Sequence, residues 1–149
     1  MEDKFKLEIV NPEKIIFSDN VIMVTIPSYE GDMTILKQHI SIITFLRPGI
    51  IKVYLNNNDF KEFFVQDGTV EFFNDNLVIL SSSVINVKDL SKNLIENLSK
   101  NTQEQLAKKD ITDHDRYILN HKLQVLTKLE FNLILNKLIL FLFFYKSLL

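Results

Sequence analysis

The chain of 149 residues contains no cysteine, no tryptophan, one alanine, two arginines, three glycines and three prolines. Without cysteine there is no disulfide, no thiol catalysis, no cysteine-ligated zinc and no iron–sulfur cluster. So little glycine and proline, beside abundant Ile, Leu and Phe, excludes collagen and low-complexity disorder. A formal net charge of −2 gives no basis for a nucleic-acid partner. Met1-Glu2-Asp3-Lys4 is acidic and no apolar run follows it, so no signal peptide is expected and a cytosolic-side protein is the default reading. The length suits one domain, or a small domain with an appendage.

What is present is unevenly distributed. Residues 1–87 carry 7 basic and 12 acidic groups, and residues 88–130 carry 8 and 7. Residues 131–149 hold 14 apolar residues out of 19, no acid, and only Lys137 and Lys146. Three zones follow: a β domain over 1–87, a helical domain over 88–130 and an atypical apolar tail over 131–149.

The first zone reads as strands. Phe5, Leu7 and Ile9 alternate with charged neighbours, and Asn11-Pro12 signals a turn. Val21–Ile26 is expected to be one strand stopped by Pro27. Ile40–Leu46 runs into the Pro48-Gly49 turn. Ile50–Leu55 pairs with Phe60–Val65 across an asparagine loop, Asp67-Gly68 starts a further hairpin, and Leu77–Leu80 closes the set. Short strands at this spacing predict a sandwich or barrel. The second zone has helical periods: Leu90, Leu94 and Leu98 share one face, and Ile118, Leu119, Leu123, Val125, Leu126 and Leu129 form a stripe. Asp89 or Ser91 is expected to cap the first helix and Thr112 the second. The fold class is therefore α+β: an N-terminal two-layer antiparallel β-sandwich followed by a C-terminal helical hairpin.

Candidate catalytic groups are sparse. Asp32 and His39 read as a loop carboxylate and a loop histidine rather than an acid–base pair, because no nucleophile with a base stands at a recognisable spacing. His114 and His121 are seven residues apart, about 10 Å along a helix, where a metal site prefers three or four. No metal and no cofactor are expected. Arg116, Lys122 and Lys128 read as a solvated helix face.

Several segments, in order, resemble a known family. They are Leu7–Lys14 with Phe17-Ser18, Glu30-Gly31-Asp32, His39, Arg47–Val53, Phe64–Glu71 and Asp75–Leu80. The family is the epsilon subunit of the rotary proton-translocating ATP synthase, called delta in mitochondria, and the resemblance covers about residues 4–130. It implies a non-catalytic central-stalk rotor subunit that links the gamma subunit to the c-ring, couples proton flow to ATP synthesis, and restrains ATP hydrolysis through its helices. It implies a peripheral place at the cytoplasmic face of the bacterial inner membrane, with membrane association through the complex. Glu30, Gly31, Asp32 and His39 would face the c-ring. Arg116, Lys122 and Lys128 would meet the catalytic α/β head.

The sequence departs from the family pattern at several places. Thr34 stands where the family has glycine, which makes that turn less permissive. Lys37-Gln38 replaces Pro-Gly, and Asp67 replaces the first of two glycines, where aspartate tolerates left-handed backbone. Ser91 and Leu94 replace the acid and the arginine that hold ATP in some bacterial members, so this chain is expected not to bind ATP. The tail lies beyond the usual family end. It reads in three ways: an unselected A/T-encoded string from a frameshift or lost stop codon, a continuation of the second helix, or a membrane anchor. The last supports a rival function, a membrane-tethered β-sandwich interaction module.

Overall fold

The computed structural model describes residues 3–149. It divides into two compact units, one ending at Asp89 and the other beginning at Leu90.

The first unit is built of ten strands: β1 (Phe5–Val10), β2 (Ile15–Val21), β3 (Met23–Ser28), β4 (Gly31–Leu36), β5 (Ile42–Leu46), β6 (Gly49–Asn56), β7 (Asp59–Val65), β8 (Gly68–Phe73), β9 (Asn76–Leu80) and β10 (Val84–Asn86). Their order is β10-β7-β6-β3-β5-β8-β9-β1-β2, with β4 on the free side of β3. The ladder folds over where β3 meets β5 through the single pair Ser28↔Leu46. This makes two layers, β2-β1-β9-β8-β5 and β4-β3-β6-β7-β10. Every pairing is antiparallel except β1 with β9, which runs parallel from Lys6↔Asn76 to Val10↔Leu80.

Strand alternation sends Leu7, Ile9, Val24, Ile26, Ile51, Val53, Val70, Phe72, Leu77 and Ile79 into one core between the layers. Phe5 meets Phe72 edge-on with ring centroids 5.7 Å apart. The turns use the chemistry their residues offer. The Asn11 carboxamide oxygen accepts from the amides of Glu13 and Lys14 at 3.0 and 2.8 Å. Asn74 and Asp75, both at positive φ, form the two-residue turn between β8 and β9.

The structure departs from four of the expectations. Val21–Ile26 is not one strand: β2 and β3 meet at Ile22. Pro27 lies inside β3, where that strand changes partner from β6, paired through Thr25, to β5 at Ser28, so its missing N–H falls in the gap. Thr34 sits within β4, not in a turn, and its hydroxyl lies 3.0 Å from that of Thr25. Left-handed backbone is needed at Gln38, not at Asp67.

The second unit is a pair of packed helices, α1 (Lys92–Leu106) and α2 (Asp113–Leu148). Ser91 caps α1, its hydroxyl accepting from the Leu94 amide at 3.1 Å. Thr112 caps α2 through the Asp115 amide at 3.1 Å. The most buried positions of α1 are Ile95, next to Leu94, and Thr102, which continues the line of Leu90, Leu94 and Leu98 by one further step of four; Leu94 and Leu98 are half-buried. The Thr102 hydroxyl is satisfied by donating to the Leu98 carbonyl at 2.7 Å. Residues 131–148 continue α2 as one helix. No glycine or proline follows Gly68, so nothing in the chain breaks it.

Candidate functional site

The Glu30–Asp32 segment is the tip of the β3–β4 hairpin. Ser28 and Gly31 close it as a pair, and the Ser28 hydroxyl donates to the Gly31 carbonyl at 2.6 Å. Gly31 holds φ +129°, a conformation that side chains resist. Glu30 and Asp32 are exposed. The next turn, Arg47-Pro48-Gly49, is pressed against the hairpin. The Arg47 amide donates to the Pro27 carbonyl at 3.0 Å, and a Cβ on Gly49 would stand 2.5 Å from the Pro27 Cβ. That close approach places the Arg47 guanidinium 3.6 Å from the Asp32 carboxylate. Sequence reasoning missed Arg47 as a partner of Asp32, although the Arg-Pro-Gly motif that aims it was visible.

His39 is elsewhere. Four residues of extended strand, about 13 Å, separate Asp32 from Leu36, whose carbonyl accepts from the His39 amide at 3.1 Å. The His39 Nδ1 bonds the Ile40 carbonyl at 2.8 Å, so that nitrogen carries the proton. Its ring stands edge-on to Phe72 at 5.8 Å. The preceding Gln38, at φ 62°, donates its amide to the Asp75 carboxylate at 2.7 Å. Glu30, Gly31 and Asp32 thus lie together at one end of β4, and His39 follows its other end. No Asp32–His39 dyad forms. Among the described residues no group of three or more His, Cys, Asp or Glu could hold a metal ion.

The most distinctive surface was not anticipated. Ile43, Phe45, Phe73 and Leu80 are exposed by 73, 59, 64 and 52%. The register puts Phe45, Thr69, Leu80 and Val10 in one outward row across β5, β8, β9 and β1. Along that row runs an open groove of about 770 Å³, lined by all four of these residues together with Pro12 and Tyr29, among others. Its rim is set by Asp67, which accepts from the Ser82 amide at 2.9 Å and from the hydroxyls of Ser81 and Ser82. Tyr29 joins the groove to the hairpin tip. The available signal was Ile40–Leu46, apolar on both strand faces when only one faces the core.

In the helical unit Arg116 and Lys128 are exposed, but Lys122 is only 8% exposed. Six residues separate each from the next, and the turn of the helix then carries them to different faces, so the three do not form one solvated face. Desolvation holds the Lys122 ammonium below the ordinary lysine value.

These features define a class: a two-layer sandwich with an apolar outer sheet face and a charged hairpin tip, followed by a helical pair. Residues 4–87 match the family model for the ATP synthase, Delta/Epsilon chain, beta-sandwich domain. The chain belongs to that family. It is 46% identical over 131 residues to the ATP synthase epsilon chain of Pelagibacter ubique, covering 87% of this chain and 100% of that one. It is 30% identical to the epsilon chain of Rhizobium rhizogenes, covering 87% and 96%. Its fold is shared with a chain of the Euglena gracilis mitochondrial ATP synthase OSCP/F1/c-ring assembly, with a TM-score of 0.70 and 17% identity over 88% of this chain and 82% of that one. A chain from the Tetrahymena thermophila mitochondrial ATP synthase central stalk and c-ring matches with a TM-score of 0.57 and 15% identity, covering 84% and 95%.

Proposed function

We propose that the protein is a non-catalytic central-stalk subunit of an ATP synthase, joining the gamma subunit to the c-ring and coupling proton flow to ATP synthesis. The observation that carries this reading is the apolar outer face of β5, β8 and β9. A sheet face with Ile43, Phe45, Phe73 and Leu80 in water gains on the order of 1.5–3 kcal/mol for each such side chain it fully buries against a partner. The gamma subunit is that partner. The edge strand β4 lies toward the c-ring, with Glu30, Gly31 and Asp32 meeting its polar loops at one end and His39 making a second contact at the other. Arg116 and Lys128 face the catalytic head, whereas Lys122 is withdrawn by burial. Through these contacts the helices restrain hydrolysis. The subunit sits peripherally at the cytoplasmic face of the bacterial inner membrane.

Stiffness suits this role, because a close-packed two-layer core transmits strain instead of absorbing it. Co-purification tests the reading. Phe45→Asp with Leu80→Asp leaves the core untouched and is expected to lower recovery of the gamma and catalytic subunits by at least about tenfold. Undiminished recovery of a folded double variant rules out this face as the docking site.

A further inference from the structure

The outer part of α2 has no place in the stalk reading. Residues 131–149 contain no acid, and their lysines, Lys137 and Lys146, flank the uninterrupted apolar run Leu138–Tyr145. Every residue of that run is more than half exposed, from Leu138 at 53% to Phe143 at 71%. Consecutive helical positions turn by about 100°, so these eight residues point apolar side chains in every direction around the axis. A protein groove or a second copy of the helix covers one stripe of such a rod. Lipid acyl chains cover all of it.

Length and charge agree with that medium. Eight residues of helix span about 12 Å, far short of a hydrocarbon core about 30 Å thick, so the run stays in one leaflet and lies along it, with both flanking lysines near the headgroups. No helix among the described residues is long and apolar enough to cross a membrane. Two lysines and no acid match anionic headgroups, and Tyr145 at the end of the run suits the interface. Lysine stems reach headgroup level while their methylenes stay in the apolar layer.

We propose that Leu138–Tyr145 inserts into one leaflet of an anionic lipid bilayer, held at its two ends by Lys137 and Lys146. Flotation of the full chain with vesicles tests this, using phosphatidylglycerol mixed with phosphatidylcholine against phosphatidylcholine alone. The full chain is expected to float with the anionic vesicles. Truncation after Glu130 removes only the outer part of α2 and is expected to cut partitioning at least about tenfold. Leu140→Asp with Phe143→Asp keeps the chain length and is expected to do the same, with helicity checked by circular dichroism. Lys137→Gln with Lys146→Gln is expected to lower the preference for anionic vesicles on the order of tenfold. Equal flotation of full and truncated chains overturns the proposal, as does equal flotation with both vesicle types. Oligomers of the full chain that do not float, and that truncation dissolves, overturn it in favour of a second copy.

Discussion

Gln38 shows what a single residue tolerates when its neighbours hold it. Its φ of 62° is left-handed, the region that glycine enters without a Cβ penalty, and the family carries glycine there. The position survives because the Gln38 amide is anchored on Asp75 at 2.7 Å. Removing the side chain relieves about 1–2 kcal/mol of backbone strain and adds somewhat less unfolded-state entropy. Gln38→Gly is therefore expected to stabilise the sandwich by about 0.5–1 kcal/mol in urea unfolding. Lys122 is the opposite kind of residue, one whose charge the fold opposes. Its folded-state pKa is lowered by desolvation, so the folded chain binds its proton less readily than the unfolded chain does. Between that lowered value and the ordinary lysine value of about 10.4, stability from this group rises with pH. Below the window the full cost is present. Lys122→Met keeps the packed stem and removes the charge, and is expected to gain up to about 1 kcal/mol at neutral pH. That gain should shrink in thermal melts taken at increasing pH through the window. A gain that does not change with pH would show that packing, not charge, separates the two side chains.

At the scale of elements, the β7–β8 hairpin depends on close approach. A Cβ on Gly68 would lie 2.8 Å from both the Leu80 carbonyl oxygen and a Leu46 methyl. The leucine can shift, but the carbonyl belongs to the β9 backbone. Gly68→Ala is expected to cost about 2–3 kcal/mol, read by denaturant midpoint. Strands with strong signals were legible: alternation marked β1, and asparagine or glycine turns marked β6 to β9. β4 was not legible, because it buries only Ile35 and exposes Asp32, Thr34 and Leu36. β10 is three residues long. The helix caps at Ser91 and Thr112 were legible because each is a local bond. The buried face of α1 follows the leucine line to Thr102 but is widened by Ile95, since three leucines at a spacing of four mark a face but not which neighbour shares it. Within the candidate site, Glu30, Gly31 and Asp32 were readable as a turn. The pairing of Asp32 with Arg47 depends on strand order, which no local pattern contains, and the separation from His39 depends on β4 being extended, which its weak alternation did not reveal. The apolar outer face of β5 was hidden for another reason: a strand buried on two sides and one awaiting a partner have the same composition.

At the scale of the whole molecule, β4 carries polar groups at both of its ends, and the stalk reading assigns both to the c-ring. Asp32→Lys together with His39→Ala reverses the charge at one end and removes the ring at the other. In reconstituted ATP synthase the pair is expected to reduce proton pumping driven by ATP hydrolysis several-fold, while the sandwich still assembles. Unchanged pumping counts against that placement of β4. The parallel pairing of β1 with β9 has a consequence of another kind, in the order in which the chain is made. Lys6 faces Asn76 and Val10 faces Leu80 across that ladder. Before β9 emerges from the ribosome, β1 has only the hairpin with β2, and a two-stranded hairpin is marginal by itself. The core therefore cannot close until nearly the whole sandwich has been synthesised, and its long-range ladders fold slowly compared with helices. During that interval Phe5, Leu7 and Ile9 are open to solvent and to other nascent chains. The earliest strand is thus the one that waits longest for its partner, and the helices, translated last, are the part with the least time to wait.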